Sequence, residues 1–358
     1  MSDLENNVPD SEPGRFEDRP SESVPKEENR EDVPNLRFRA SVLSAGAERE
    51  YHLANHPLNQ RPAVILTNAI KDAFLITSDA VRFKRLGCSF LADFRTGKST
   101  ALEMIARELK TVLPEVASEL VTAMTHDAVT ERTFWGDMAV AFGLSLPRTA
   151  QDRQQLLRAA IITACNESGG RQFCLLVDEG QNWGVREFTF LRDFSNQLQQ
   201  QDRYVVTTVI FGDLRLKKLA SDFRVARKDL WARFLMKQEL FPSMNSVEDL
   251  KYFFSEYDNV KRCEYPAGTG LSFSEFFLPL AYASGWRLEN EAKNAWDAFI
   301  RAATEVKRKS SGIGMQWVGD AVNHFLTAKM ADDVVGFNSS SDDWNEAIVQ
   351  SKFIDSLI

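Results

Sequence analysis

The sequence predicts an α/β fold, a five-stranded parallel sheet with a small α-helical lid behind it. Three observations predict it. A short apolar run, Gly87–Leu91, turns sharply through 92–97 into a helix that opens with Lys98, Ser99 and Thr100. A second apolar run, Phe173–Val177, ends in two carboxylates, Asp178 and Glu179. From Ser246 onward the spacing of apolar residues is helical.

The totals bound the answer. With 358 residues the chain holds about two domains and a real core. The net charge is −8, of which residues 1–35, with 11 Asp/Glu against 4 Lys/Arg, hold −7, so the body is near neutral and a nucleic-acid surface would have to be a local patch. The cysteines Cys88, Cys165, Cys174 and Cys263 show no C-x-x-C spacing. Small buried thiols in a reducing cytoplasm account for them. No stretch has the length of a membrane span, and the N-terminus is acidic, unlike a secretory signal.

Taken in order, residues 1–35 hold five prolines and one aromatic residue, Phe16, and are expected to be disordered. They serve either as a solubilising tail or as an acidic peptide that docks on a basic partner or covers the protein's own nucleic-acid site. Residues 36–85 read as mostly helical, with Pro62 starting a helix whose apolar positions are Val64, Ile65, Ala69, Ile70 and Phe74. Then comes the first strand and the stretch Ala92, Asp93, Phe94, Arg95, Thr96, Gly97, Lys98, Ser99. It fits the phosphate-loop pattern G-x-x-x-x-G-K-[ST], with Ala92 in place of the first glycine. A strand turning into a helix leaves backbone N–H groups free to wrap phosphates. Gly97 permits close approach, Lys98 adds a point charge, and the Ser99 hydroxyl completes a Mg²⁺ shell. Ala101, Ile105, Leu109 and Val112 bury the helix on the sheet.

Pro114 breaks the chain, and Leu120–Met124 reads as the second strand. His126 follows it with no metal-site spacing, and a surface histidine explains it. Helices through Phe134–Phe142 and over about 150–166 come next, with Arg148, Arg153 and Arg158 at the start and along one side of the latter. The strand Phe173–Val177 presents Asp178 to Mg²⁺ and Glu179 to the reacting water as a base. An acid beside the metal aspartate, with 80 residues and an extra strand between Lys98 and Asp178, favours an ATPase over a switch-type GTPase.

The next strand, Tyr204–Phe211, is expected between the two motif strands, with Asp213 or a backbone group near the terminal phosphate. The basic stretch 214–235 ends in Arg233, just before a last strand at Met236–Leu240. Arg233 is placed to reach a neighbouring subunit's nucleotide, with Arg227 the second candidate. In the helical lid, Arg287 opens a helix and is a candidate phosphate contact. Past Gly336 a polar stretch leads to a helix over Trp344–Ile358, which docks on a partner or packs on the lid.

With the loop over Ala92–Thr100, Asp178-Glu179-Gly180-Gln181-Asn182, Gly212-Asp213-Leu214, Trp231–Phe234 and Gly285–Leu288 in this order, the chain resembles the AAA+ ATPases of the initiator clade, over roughly residues 55–330. Within them it is most similar to the TnsC/TniB regulators of DNA transposition. The chain thus divides into a disordered acidic tail 1–35, an AAA+ α/β domain 36–243 with an N-terminal helical segment, an α-helical lid 244–335 and a C-terminal tail and helix 336–358. The resemblance implies ATP and Mg²⁺ as cofactors: Asp93 to Thr100 and Arg287 hold nucleotide, Ser99 and Asp178 hold metal, and Lys98, Glu179 and Arg233 are catalytic. The Ala92 departure bears on hydrolysis rate more than on binding. Family members assemble as homo-oligomeric rings or filaments on duplex DNA and connect a target selector of the TniQ/TnsD kind to a TnsB-like transposase. By position alone, Arg132, Arg148 and Arg153 become the DNA contacts. A remodelling or loading ATPase that does not bind DNA, and a nucleotide-sensing scaffold, are the competing readings. Glu179 argues against the latter.

Overall fold

The computed structural model describes residues 35–60, 64–306 and 312–357. The acidic stretch 1–34 and Pro62 lie outside the described residues. Five strands form one parallel sheet: β1 (Gly87–Ala92), β2 (Val116–Thr122), β3 (Gln172–Asp178), β4 (Val205–Gly212) and β5 (Gln238–Phe241), in the order β2-β3-β4-β1-β5. As expected, β4 lies between the loop strand and the acid strand, pairing Val209 with Cys88 and Leu176.

Side chains alternate across each strand, and the sheet is buried on both faces. Phe173, Leu175 and Val177 point to one core, while Cys174 and Leu176 point to the other. The second face is covered by α4 (Asn68–Arg82) and α5 (Lys98–Val112), reached after α1 (Leu36–Leu43), α2 (Ala47–Ala54) and α3 (Pro57–Gln60). The first is covered by α6 (Glu131–Ala141), α7 (Ala150–Glu167), α8 (Val185–Gln197) and α9 (Leu214–Ala226), with the short α10 (Lys228–Leu230) behind them. All four cysteines are free and buried, and burial raises the pKa of each thiol.

The C-terminal helix expected over Trp344–Ile358 runs instead from Ser341 to Gln350, and three further sequence-based boundaries move. The helix expected from Pro62 begins at Asn68, because the Thr67 hydroxyl accepts from Ile70 N at 3.1 Å and caps it, leaving Val64 and Ile65 before the helix. The strand expected at 120–124 is Val116–Thr122. It starts two residues after Pro114 and is hidden in the sequence by half-exposed Ser118 and Glu119 on a sheet edge. The last strand starts at Gln238, since a wide helical turn over Trp231–Leu235 uses up the residues before it.

The lid is built from α11 (Val247–Tyr257), α12 (Phe273–Phe277), α13 (Pro279–Ala283), α14 (Ala292–Glu305), α15 (Met315–Lys329) and α16 (Ser341–Gln350). Its core is aromatic. Trp344 of α16 stacks on Phe325 at 4.2 Å and on Phe254 at 5.4 Å, so the C-terminal helix packs inside the lid. The first helices join it too: Arg39 pairs with Glu275, and Arg49 donates to the Phe276 carbonyl at 3.2 Å. Packing thus places residues 35–60 with the lid, where the sequence groups them with the sheet. Among the described residues no helix is long and apolar enough to cross a membrane.

Candidate active site

Where β1 ends and α5 begins, the backbone makes the turn the motif requires. Gly97 is left-handed at φ 88°, and so, without being glycine, is Arg95 at φ 56°. Ala92 is the last strand residue, paired with Phe241, and is not among the left-handed residues. The missing first glycine therefore imposes no backbone conflict there. Asp93 ties the loop together. Its carbonyl accepts from Lys98 Nζ at 3.1 Å and from Thr96 Oγ1 at 3.0 Å, and its carboxylate accepts from Phe94 N at 2.7 Å. Lys98 is only 8% exposed, so its amino group has one loop carbonyl and the cavity to address.

The acid strand ends beside the loop. Ser99 Oγ donates to Asp178 Oδ2 at 2.5 Å, and Glu179 N donates to Asp178 Oδ1 at 2.9 Å. Two hard oxygen donors in contact fit Mg²⁺, which keeps much of its shell for phosphate and water. Among the described residues no group of three His, Cys, Asp or Glu side chains could hold a metal by itself. Ser99 and Asp178 would therefore hold Mg²⁺ jointly with nucleotide oxygens, and the ion would supply charge neutralisation at the phosphates.

Glu179 is left-handed at φ 54°, which turns its carboxylate into the cavity. Gln181 holds it there: its Nε2 donates to Glu179 Oε2, while its Oε1 accepts from Asp213 N at 3.0 Å. This amide fits because residue 212 is glycine, where a Cβ would lie 2.7 Å from Gln181 Oε1. Asp213 itself caps α9 and pairs with Arg215 at 2.7 Å. Burial opposes its charge, but the bonds from Arg215 prevail and hold its carboxyl below the usual range. The tip of β4 is thus connected to the acid through Gln181, a residue whose role the motif alone does not reveal.

One cavity of about 640 Å³ joins these parts. Phe94 to Thr100 and Glu179 line it from the sheet, Leu58, Gln60, Ile65 and Ile70 from the N-terminal segment, and Tyr257, Met315, Asp320 and Asn323 from the lid. This volume lies within the range of small-molecule sites. The apolar side formed by Leu58, Ile65, Ile70 and Tyr257 could cover a base, and the loop side the phosphates.

Other expected residues lie elsewhere. Arg287 does not line the cavity. Its Nη1 donates to the carbonyls of Tyr282 and Trp286 at 2.8 and 2.6 Å, with the guanidinium 3.7 Å from the Tyr282 ring centre. Arg153 is half-buried and braces α6 against α7 by donating to the Pro147 and Arg132 carbonyls, at 2.8 and 2.7 Å, whereas Arg132 and Arg148 are exposed. Arg227 is engaged by Asp229 at 2.9 Å. Arg233 Nη1 donates to Asn196 Oδ1 at 2.6 Å, its Nε is buried without a partner, and burial lowers its pKa. His126 pairs with Asp137 at 2.6 Å, a surface contact.

Residues 85–219 match the family model described as an AAA domain. The Aeropyrum pernix ORC2 protein in its ADP form is similar in structure, with TM-score 0.50 at 11% identity, over 80% of this chain and 68% of that one. Domain III of the Thermotoga maritima replication initiation protein DnaA aligns with TM-score 0.44 at 14% identity, over 83% and 99% of the two chains. Drosophila ORC bound to DNA aligns with TM-score 0.44 at 12% identity, over 87% and 71%. No curated protein matches the chain. The fold is that of an AAA+ domain, a five-stranded parallel sheet with a helical lid, and the chain is an ATPase.

Proposed function

We propose that this ATPase is a transposition regulator of the TnsC/TniB kind. It oligomerises on duplex DNA with ATP, marks a target site, connects a TniQ/TnsD-like selector to a TnsB-like transposase, and disassembles on hydrolysis. The position of Arg233 carries the reading. Its carbonyl lies where a Cβ on Gly87 would be 2.7 Å away, at the start of β1, while the phosphate loop leaves the other end of that strand. A six-residue strand is about 20 Å long. Arg233 is therefore a strand's length from its own loop, and a nucleotide it touches belongs to another copy.

In this reading Lys98 and the loop amides grip the phosphates, Ser99 and Asp178 hold Mg²⁺, and Glu179 takes a proton from water under the hold of Gln181. Arg233 leaves Asn196 for the neighbour's terminal phosphate, so hydrolysis follows assembly. Exposed Arg132 on α6 and Arg148 in the turn before α7 contact DNA phosphates, with Arg153 holding both stretches through the Arg132 and Pro147 carbonyls. Such binding is sequence-independent and weakens with salt.

The test mixes protein, ATP and random duplex and looks for DNA-coating oligomers by electron microscopy. Lys98→Ala abolishes them, Glu179→Gln prolongs them, and Arg233→Ala forms them without hydrolysis. If no nucleotide supports DNA binding at low salt while ATP is still hydrolysed, the chain is a remodelling or loading ATPase and the DNA reading fails.

A further inference from the structure

The cavity poses a charge problem. A nucleoside triphosphate brings several negative charges, yet the lid residues that line the cavity include Asp320 and no cation. Among the described lining residues the only cations are Lys98 and Arg95, and both come from the loop. Arg95 occupies an unusual position in three respects. Its backbone is left-handed, a region that L side chains with a Cβ rarely occupy and that is often found at working sites. Its guanidinium carbon lies between two aromatic rings, 5.2 Å from Phe94 on the loop and 5.6 Å from Trp317 on the lid. Its charge acts on Asp320, one turn of α15 beyond Met315.

The lid sits directly on this loop. A Cβ at Gly314, before the first turn of α15, would lie 3.0 Å from the Arg95 carbonyl, and one on Gly97 would touch Met315 at 3.6 Å. Trp317 in turn packs edge-on against Phe353 of the lid core at 6.0 Å. Whatever moves the Arg95 side chain is therefore felt by the lid.

We propose that Arg95 contacts the terminal phosphate and couples it to the lid. In the structure its guanidinium lies against Phe94 and Trp317, with its charge acting on Asp320. A terminal phosphate is a charged partner that forms stronger hydrogen bonds than a ring face, so the guanidinium turns to it and leaves Trp317. The lid then responds to triphosphate and not to diphosphate, with the cation supplied from the loop. The inference rests on nucleotide binding at this loop and is independent of DNA.

Arg95→Gly tests it, because glycine accepts the left-handed backbone at this position. Equilibrium binding of a non-hydrolysable ATP analogue and of ADP is measured for the full chain, with tryptophan fluorescence as a second readout. The native protein prefers the analogue and changes its emission with it but not with ADP; Trp317→Phe removes that change. Arg95→Gly loses about tenfold of the preference for the analogue over ADP, within the usual range of coupling between sites. Arg95→Lys recovers part of it. An unchanged analogue-to-ADP ratio in a folded Arg95→Gly protein overturns the coupling. Failure of the native protein to bind either nucleotide overturns the nucleotide site itself, and the coupling with it.

Discussion

The sheet edge and the lid face each other across one cavity, yet they are assembled in opposite ways. At the edge the motif residues come in two short contiguous runs, the loop from Ala92 to Ser99 and Asp178 beside Glu179. Each piece ends a strand, so its direction follows from the strand it ends. The lid draws instead on three separated stretches, around 35–60, 247–330 and 341–357, joined by aromatic side chains. Chemistry that needs a particular local backbone is compact in sequence. The face a helical domain turns toward its ligand is settled only by packing over most of the chain.

The comparison can be broken or sharpened by substitution. The largest effect belongs to the edge. Glu179→Gln lowers kcat by roughly 10²–10⁴-fold, the usual worth of a positioned base, and leaves nucleotide affinity within about threefold. A steady-state assay beside a binding titration separates the two. Trp344→Ala strikes the lid. Its fully buried ring between Phe325 and Phe254 makes a loss of about 3–5 kcal/mol the expectation. Calorimetry should show the lid melting early while the sheet transition persists; a single unshifted transition would mean that α16 is dispensable to the lid.

A smaller effect depends on pH. Burial raises the Asp258 carboxyl to about 6, with Ser274 and Arg287 pulling the other way. The folded value exceeds the unfolded one, so stability is full below about pH 4 and declines as pH rises through about 6. Asp258→Asn should therefore be more stable than the native chain at pH 8, by about 3 kcal/mol, with the gain gone by pH 4. The smallest effect is the sharpest on orientation: Arg287→Ala changes nucleotide affinity by less than about twofold, since its guanidinium serves lid carbonyls. A tenfold loss would show that the lid turns a different face to the cavity.

The same contrast explains what could be read in advance. Strands β1, β3 and β4 announce themselves as apolar runs, and the loop and acid pair follow from spacing because their backbone geometry is local. β2 reads four residues late in the sequence because an edge strand with Ser118 and Glu119 breaks the apolar pattern. Gln181 stood in view beside the acids, but its bond to Asp213 depends on the space at Gly212, which only the paired strands create. In the sequence Arg287 reads as a phosphate contact and Arg153 as a DNA contact. Carbonyls at the ends of neighbouring elements claim both, and no spacing reports that. The lid residues that line the cavity, Met315 and Asp320 among them, carried no signal beyond helical period.

The way the lid closes on α16 has a consequence for synthesis. On a ribosome adding about 5–20 residues per second, all five strands have emerged once Phe241 is clear of the tunnel, whereas Trp344 follows some seconds later. During that interval a folded sheet carries its phosphate loop without a finished roof, and residues 35–60 wait for their packing partners. A newborn molecule therefore completes the lid over its cavity only after the whole sheet has emerged.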